Sequence, residues 1–255
     1  MSGGIRATFY REYKLRLSSP RVFVENIANP LSTLMIFGLT LGNTVGSIDE
    51  GGESINYLNY FVIGAINISL ISNALVSATK MFLDKYVGMY EELLSYPVKR
   101  RDILIGKMLF NLLLSIVQAF VMMAFTEIIT GYKFLNFNKA LLLTLLVIIG
   151  SCAWFYIMMI ISVKVRTQDS FNTIYYIIIT PVVFTSSIYY PVEKLPVIFK
   201  WLGYINPISW LTDIGRYIYL ELDSNFLVSK LIGIIVLLIL SFFVSKYLFS
   251  KGIEK

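Results

Sequence analysis

Six long apolar stretches, near residues 27–45, 57–78, 103–129, 140–163, 171–189 and 227–249, constrain this chain more than any other feature. A helix needs about 20 mainly apolar residues to cross a hydrocarbon core of roughly 30 Å, and each stretch comes close to that length or exceeds it. Of all residues 56% are hydrophobic and only 15% charged, where soluble domains carry roughly a quarter charged. The chain's main solvent is therefore lipid. This predicts an all-α integral membrane protein with six transmembrane helices, built as a single domain over residues 1–255 with no soluble domain attached. The fifth stretch is interrupted by Pro181 and is rich in Ser and Thr.

An even number of crossings puts both ends on one side, and the basic residues choose which. With both termini inside, the inner segments hold Arg6, Arg11, Lys14, Arg16, Arg21, Lys80, Lys85, Lys99, Arg100, Arg101, Lys107, Lys164, Arg166, Lys246, Lys251 and Lys255. The outer side holds only Lys133, Lys139, Lys194, Lys200, Arg216 and Lys230, while the 16 acidic residues divide evenly. Lys and Arg bias sets orientation and acids contribute little, so the reading is a multi-pass protein of the cell membrane with cytoplasmic termini. The net charge of +6 is then a property of topology and calls for no nucleic acid. Without an apolar core and small-residue cleavage site, the basic N-terminus reads as no cleaved signal peptide, leaving the first span as an uncleaved anchor.

Residues 1–20 place Ile5, Phe9, Tyr13 and Leu17 at four-residue spacing, with Arg6, Arg11, Lys14 and Arg16 largely off that line. The pattern predicts an amphipathic interfacial helix, apolar face toward lipid and basic residues toward anionic headgroups, ended by Ser18-Ser19-Pro20. The first outer loop, GSIDEGGES, is acidic and Gly-rich and reads as a flexible turn. The second outer loop lies near 131–139, and the inner link VKVRTQD (163–169) reads as a tight basic turn. Residues 189–222 are too broken by Pro191, Pro196 and Pro207 for one crossing, yet too apolar for a free loop. Short outer-leaflet helices, re-entrant or interfacial, are expected between spans five and six, since Tyr and Trp favour that interface.

The chemistry that is missing matters as much. There is no histidine, and Cys152 is the single cysteine, so His-ligated metals and intrachain disulfides are excluded. Lys107, Glu127 and Lys246 sit near span ends, where side chains reach the interface, and no charge falls near a midplane. An ion-driven carrier usually needs such groups. Asn67, Ser69, Ser72, Asn73 and Ser77 in the second span read as interhelical hydrogen-bonding positions. Asp213 and Arg216 stand three apart and read as a simple ion pair. No catalytic motif occurs, and Gly106-Lys107 is followed by Met108, so the chain has no phosphate-binding loop of its own.

Between the second and third spans, residues 80–102 form a cytoplasmic segment that ends in a charged island, MYEELLSYPVKRRD. Pro97 disfavours helix at Tyr96, so a short helix ending near Ser95 is expected, followed by a turn. Lys99, Arg100 and Arg101 fit topology anchors at the inner headgroups. They leave YEELL unexplained, a short amphipathic piece whose leucines suit a groove.

Here the chain resembles the permeases of ABC-2 type transporters. The matching residues are Glu91, Leu94, Pro97-Val98, Arg100 and Gly106-Lys107, then Pro191, Glu193, Leu195-Pro196, Asn206-Pro207 and Arg216. NPLSTLMIFGLTLG in the first span also fits, so the resemblance covers essentially the whole chain, carried by motif order and not by one signature. It implies a subunit that is not itself an enzyme and binds no cofactor. ATP and Mg would sit on a separate ABC ATPase subunit, present in two copies. A second copy of the permease, or a homologous one, would complete the membrane part among the lipids. It further implies that Tyr90, Glu91, Glu92, Leu93, Leu94, Ser95 and Tyr96 form the coupling helix seated on the ATPase. The implied activity is export of a hydrophobic or amphipathic substrate such as a drug, antibiotic or lipid. Export of polysaccharide or teichoic acid, and an ATP-independent channel or carrier, are the alternatives.

Overall fold

The second, third, fourth and sixth apolar stretches fold as single long helices. In chain order the computed structural model comprises α1 (Gly3–Leu17), α2 (Pro20–Thr33), a π-helical segment (Leu34–Leu39) and α3 (Thr40–Val45). A hairpin follows, β1 (Ser47–Glu50) and β2 (Glu53–Asn56), then α4 (Tyr57–Tyr86), α5 (Met89–Ser95), α6 (Arg100–Thr130) and α7 (Phe137–Lys164). The chain continues through α8 (Gln168–Ile174), a second π-helical segment (Tyr175–Ile179) and α9 (Thr180–Phe184). It ends with a 3₁₀ turn (Val192–Lys194), α10 (Val197–Ile205), α11 (Pro207–Leu220) and α12 (Leu227–Ser250). The structure describes residues 3–17, 20–50, 53–131, 136–165, 167–222 and 226–250. The expectations for Ser18, Ser19, Lys133, Arg166, Lys251 and Lys255, and for the side chains of Pro20 and Arg21, lie outside the described residues.

Among the described residues four helices are long and apolar enough to cross a bilayer: α4, α6, α7 and α12. The first and fifth expected spans are α–π–α runs, not uninterrupted α-helices, and each contains a proline. A proline has no N–H for the carbonyl four residues earlier. Pro30 in α2 withdraws that donor from Asn26, and the side chain of Gln118 in α6 supplies one, its Nε2 donating to Asn26 O at 2.7 Å. The fifth helical run stops at Phe184, short of the expected residue 189, and the chain continues through a non-helical stretch before the 3₁₀ turn.

The outer loop expected to be a flexible turn is instead an antiparallel ladder, Ser47 opposite Asn56 and Ile48 opposite Ile55. Ile48 is buried, which fixes one face of the hairpin, and residues 51 and 52 at its tip lie outside the described residues. Asn56 closes it by capping α4, accepting from the N–H of Leu58 at 2.9 Å.

At the centre runs α4, 78% of its apolar window buried, packed against α6, α7 and α11; α12 is only 11% buried and covers α7 and α11. Lipid is as apolar as leucine, so close packing and interhelical hydrogen bonds must join such helices. The polar residues of α4 supply them. Asn73 donates to Gln118 Oε1 at 2.6 Å and to Ser115 Oγ at 3.3 Å, and Ser77 donates to Asn111 Oδ1 at 3.0 Å. Asn111 carries the ladder to Ser151 of α7 at 3.0 Å, and Asn67 reaches Thr212 of α11 at 3.3 Å. The interhelical role expected for Asn67, Asn73 and Ser77 is what the fold uses; Ser69 bonds within its own helix, to Ile66 O at 2.7 Å.

Candidate functional site

The charged island folds as expected in outline and differently in detail. Gly88 has φ +78, a left-handed conformation in which glycine carries no steric cost, and it turns the chain from α4 directly into α5. Its carbonyl accepts from the N–H groups of Glu91 and Glu92 at 3.1 and 3.2 Å. Two acids in the first turn suit the positive end of the helix dipole. Tyr96 is extended ahead of Pro97, which ends α5 at Ser95.

Two faces result. Tyr90 is buried among Met81, Ile103, Leu104, Phe155, Met159 and Phe249, with Leu93, Leu94 and Val98 packed beside it. Burial pushes the Tyr90 phenol up, and its hydroxyl has no hydrogen-bond partner among the described residues. Leu93 and Leu94 are half-buried against this chain's own bundle. Outward point Glu91, Glu92, Ser95 and Tyr96, the last 60% exposed. Tyr86 and Val87 extend this face at 74% and 68% exposure; both lie in the 80–102 segment but were not among the residues expected at the contact. Lys99 and Arg101 are exposed and Arg100 half-buried at the start of α6.

Beside this face lies a buried charge cluster that sequence reasoning missed. Lys107 is 1% exposed and does not reach the interface as expected. Its Nζ meets Glu12 Oε1 at 2.6 Å and Asp84 Oδ2 at 2.9 Å, joining α1, α4 and α6. Arg11 holds both Asp84 oxygens, at 2.6 and 3.0 Å. Arg16 lies 3.3 Å from Glu12 Oε2, an ion pair without hydrogen-bond alignment, and donates to Ser77 Oγ at 2.8 Å. Burial raises the Glu12 carboxyl, but Lys107 and Arg16 outweigh that and hold it below its ordinary value. Burial pushes the Arg16 guanidinium down, whereas its hydrogen bond to Asp84 raises Arg11.

This cluster corrects the reading of Arg16 alone. The stripe of α1 buried against the bundle is Gly4, Thr8, Glu12 and Arg16, so Arg16 turns inward instead of toward headgroups. Phe9 meets the ring of Phe110 edge-on at 5.7 Å, while Tyr13 is exposed. The docking depends on Gly106: a Cβ there would stand 2.6 Å from the Thr8 Cβ. Gly106 and Lys107 thus form one seat, the first admitting the α1 backbone and the second binding its carboxylate. The four-residue polar repeat in α1 was the signal available in the sequence.

The outer segment forms a second built region. Pro191 is buried, Glu193 is exposed and accepts from Tyr204 Oη at 3.3 Å, and Pro196 precedes α10. Asn206 caps α11, with Pro207 as its first residue and the Ile208 N–H bound at 2.9 Å. Arg216 is not one half of a simple ion pair. It is 1% exposed and donates to the carbonyls of Tyr60, Ser187 and Ile188 at 3.2, 2.7 and 3.0 Å. Its guanidinium lies 3.4 Å from the Tyr60 ring centroid, and Asp213 stands 4.0 Å away, bound instead to Lys230 at 2.8 Å. The short helices expected here are present, and Val197, Ile198, Trp201 and Ile205 of α10 are bare.

α5 is thus a short helix with an open polar face, packed by its other face on the bundle. Comparison with known proteins gives the family. The ABC-2 type transporter family model matches residues 4–220. The inner membrane transport permease YadH of Escherichia coli K12 is 24% identical over 225 residues, 88% of this chain and 86% of that protein. The putative transport permease ycf38 of Porphyra purpurea is 23% identical over 208 residues, 81% and 70% of the two chains. The probable multidrug ABC transporter permease YbhR of E. coli K12 is 27% identical over 164 residues, 64% of this chain and 44% of that one. With more than three quarters of its length inside the family's pattern, this membrane protein belongs to the ABC-2 type transporter family.

Proposed function

We propose that the chain is the membrane subunit of an ABC exporter, moving a hydrophobic or amphipathic substrate out of the cytoplasm or the inner leaflet. One observation carries the reading: α5 follows the C-terminal end of α4 with Glu91, Glu92, Ser95 and Tyr96 outward while Tyr90 is buried in the bundle. A helix held this way passes an external push into α4 and α6 without bending. ATP hydrolysis takes place on a separate ATPase subunit, present twice, against two permease copies. The α–π–α runs supply the first and fifth of six crossings, with both termini in the cytoplasm, in keeping with the distribution of basic residues. The bare apolar α10 supports its placement in the outer leaflet. The similarity to YbhR, whose name carries a multidrug assignment, favours a drug-like or lipid-like cargo over a polysaccharide.

The test is charge reversal on the outward face, Glu91→Arg with Glu92→Arg. Loss of ATPase co-purification and of ATP-driven export, with membrane insertion intact, is the expected outcome. An undiminished complex and undiminished transport would overturn the assignment. Leu94 is a poor test position, because it packs inward and a polar residue there would damage the fold itself.

A further inference from the structure

We infer that Arg216 is a positioning residue for transport, the outer joint that makes α4 carry motion from the cytoplasmic face to the outer helices. The inference rests on the exporter reading. About 45 Å long at 1.5 Å per residue, α4 has a built attachment at each end. At the inner end α5 follows through the Gly88 turn, and Asp84 binds Arg11 and Lys107. At the outer end the chain between α9 and the 3₁₀ turn is non-helical, yet Ser186, Ser187 and Ile188 are fully buried. Irregular backbone at such depth must have its carbonyls bound within the protein. Arg216 does this, gripping Ser187 O and Ile188 O with its two terminal nitrogens while Nε holds Tyr60 O of α4.

Two further contacts press the same segment onto α4, and a third stacks Arg216 on it. A Cβ at Gly64 would stand 2.9 Å from Ile188 O, so the two backbones touch. Tyr57 Oη donates to Tyr189 O at 3.2 Å, and the Tyr60 ring lies flush under the guanidinium at 3.4 Å. Ser187 is also tied to α11, its N–H to Ser209 Oγ at 3.0 Å and its hydroxyl to Asp213 at 2.7 Å. The positive charge is balanced by carbonyl dipoles and a ring face more than by a carboxylate. Only the planar fork of arginine can bind three carbonyls and stack at once; a lysine keeps the charge and loses the geometry. Displacement of α4 by the ATPase therefore moves residues 185–190, and with them α10, as one body.

The test uses the permease reconstituted in lipid with its ATPase, a Cys152→Ser background and an environment-sensitive fluorophore at Val197→Cys on the exposed face of α10. Wild-type protein is expected to change fluorescence on ATP addition. Arg216→Lys is expected to lose that response while ATP hydrolysis continues, because the α5 contact is untouched. If Arg216→Lys does not assemble, Tyr60→Leu, which removes the ring face and the Tyr60 hydroxyl's bond to Ser187 O but keeps the three carbonyl bonds of Arg216, is expected to lose the same response. A full ATP response in an assembled variant would show a merely structural arginine and overturn the joint. A wild-type chain that binds no ATPase would instead overturn the exporter reading, and the joint's role in transport with it.

Discussion

At the scale of single residues the charge cluster under α1 has an uneven balance: Arg11, Arg16 and Lys107 against Glu12 and Asp84. Removing a carboxylate therefore costs more than removing a cation. Glu12→Gln leaves a buried excess of positive charge and is expected to destabilise by about 3–5 kcal/mol. Lys107→Met evens the balance and should cost less. Glu12→Gln combined with Arg16→Met should recover part of the loss, measured by thermal melting in detergent; a double variant worse than the sum of its parts would contradict this. The same carboxyl sets an acid limit. Because its folded pKa lies below the ordinary 4.5, its contribution is complete above that value and disappears as pH falls through the folded one. Melting temperature is expected to drop below about pH 4 in the native chain, with the drop smaller in Glu12→Gln. Little of this was legible beforehand. Gly106-Lys107 stood out as a pair, but the partners of Lys107 lie 95 and 23 positions away. A lysine near a span end also reads, by default, as reaching for the interface.

Among the elements, those with unbroken apolar runs were readable almost to their ends: α6, α7 and α12 fall close to the expected limits. Prolines and glycines hid the rest. Pro30 sits within α2 and Pro181 at the start of α9, and each of the two helical runs also holds a π-helical segment, a combination that hydropathy does not foresee. The GSIDEGGES loop became a hairpin because Ile48 could be buried, where composition alone showed only a polar turn. Gln118 marks the dependence of one element on another, since it bonds Asn26 O of α2 and Asn73 of α4. Gln118→Leu is expected to cost about 1–3 kcal/mol. With Pro30→Ala added, which restores a backbone donor toward Asn26, the loss should shrink; no recovery in a thermal melt would refute the compensation.

Across the whole molecule the long buried α4 stands between two faces. The one at α5 was legible as a motif, because its acids, leucines and proline are contiguous. Which side chains point out was not legible, since that depends on the distant Phe155, Met159 and Phe249 that receive Tyr90. The outer one was legible only as a string of prolines, and Arg216 acquires its meaning from carbonyls that the folded chain brings to it. On the proposed reading the subunit takes up force at α5 and delivers it near α10. The central claim is that the outward face of α5 meets an ATPase, and site-specific photo-crosslinking in the producing cell tests it most directly. A photoreactive phenylalanine analogue at Glu92 or Tyr96 is expected to capture an ATP-binding cassette subunit, and the same analogue at the inward Tyr90 to capture none. Capture from Tyr90, or no ATPase from either outward position in a correctly inserted protein, would contradict the account.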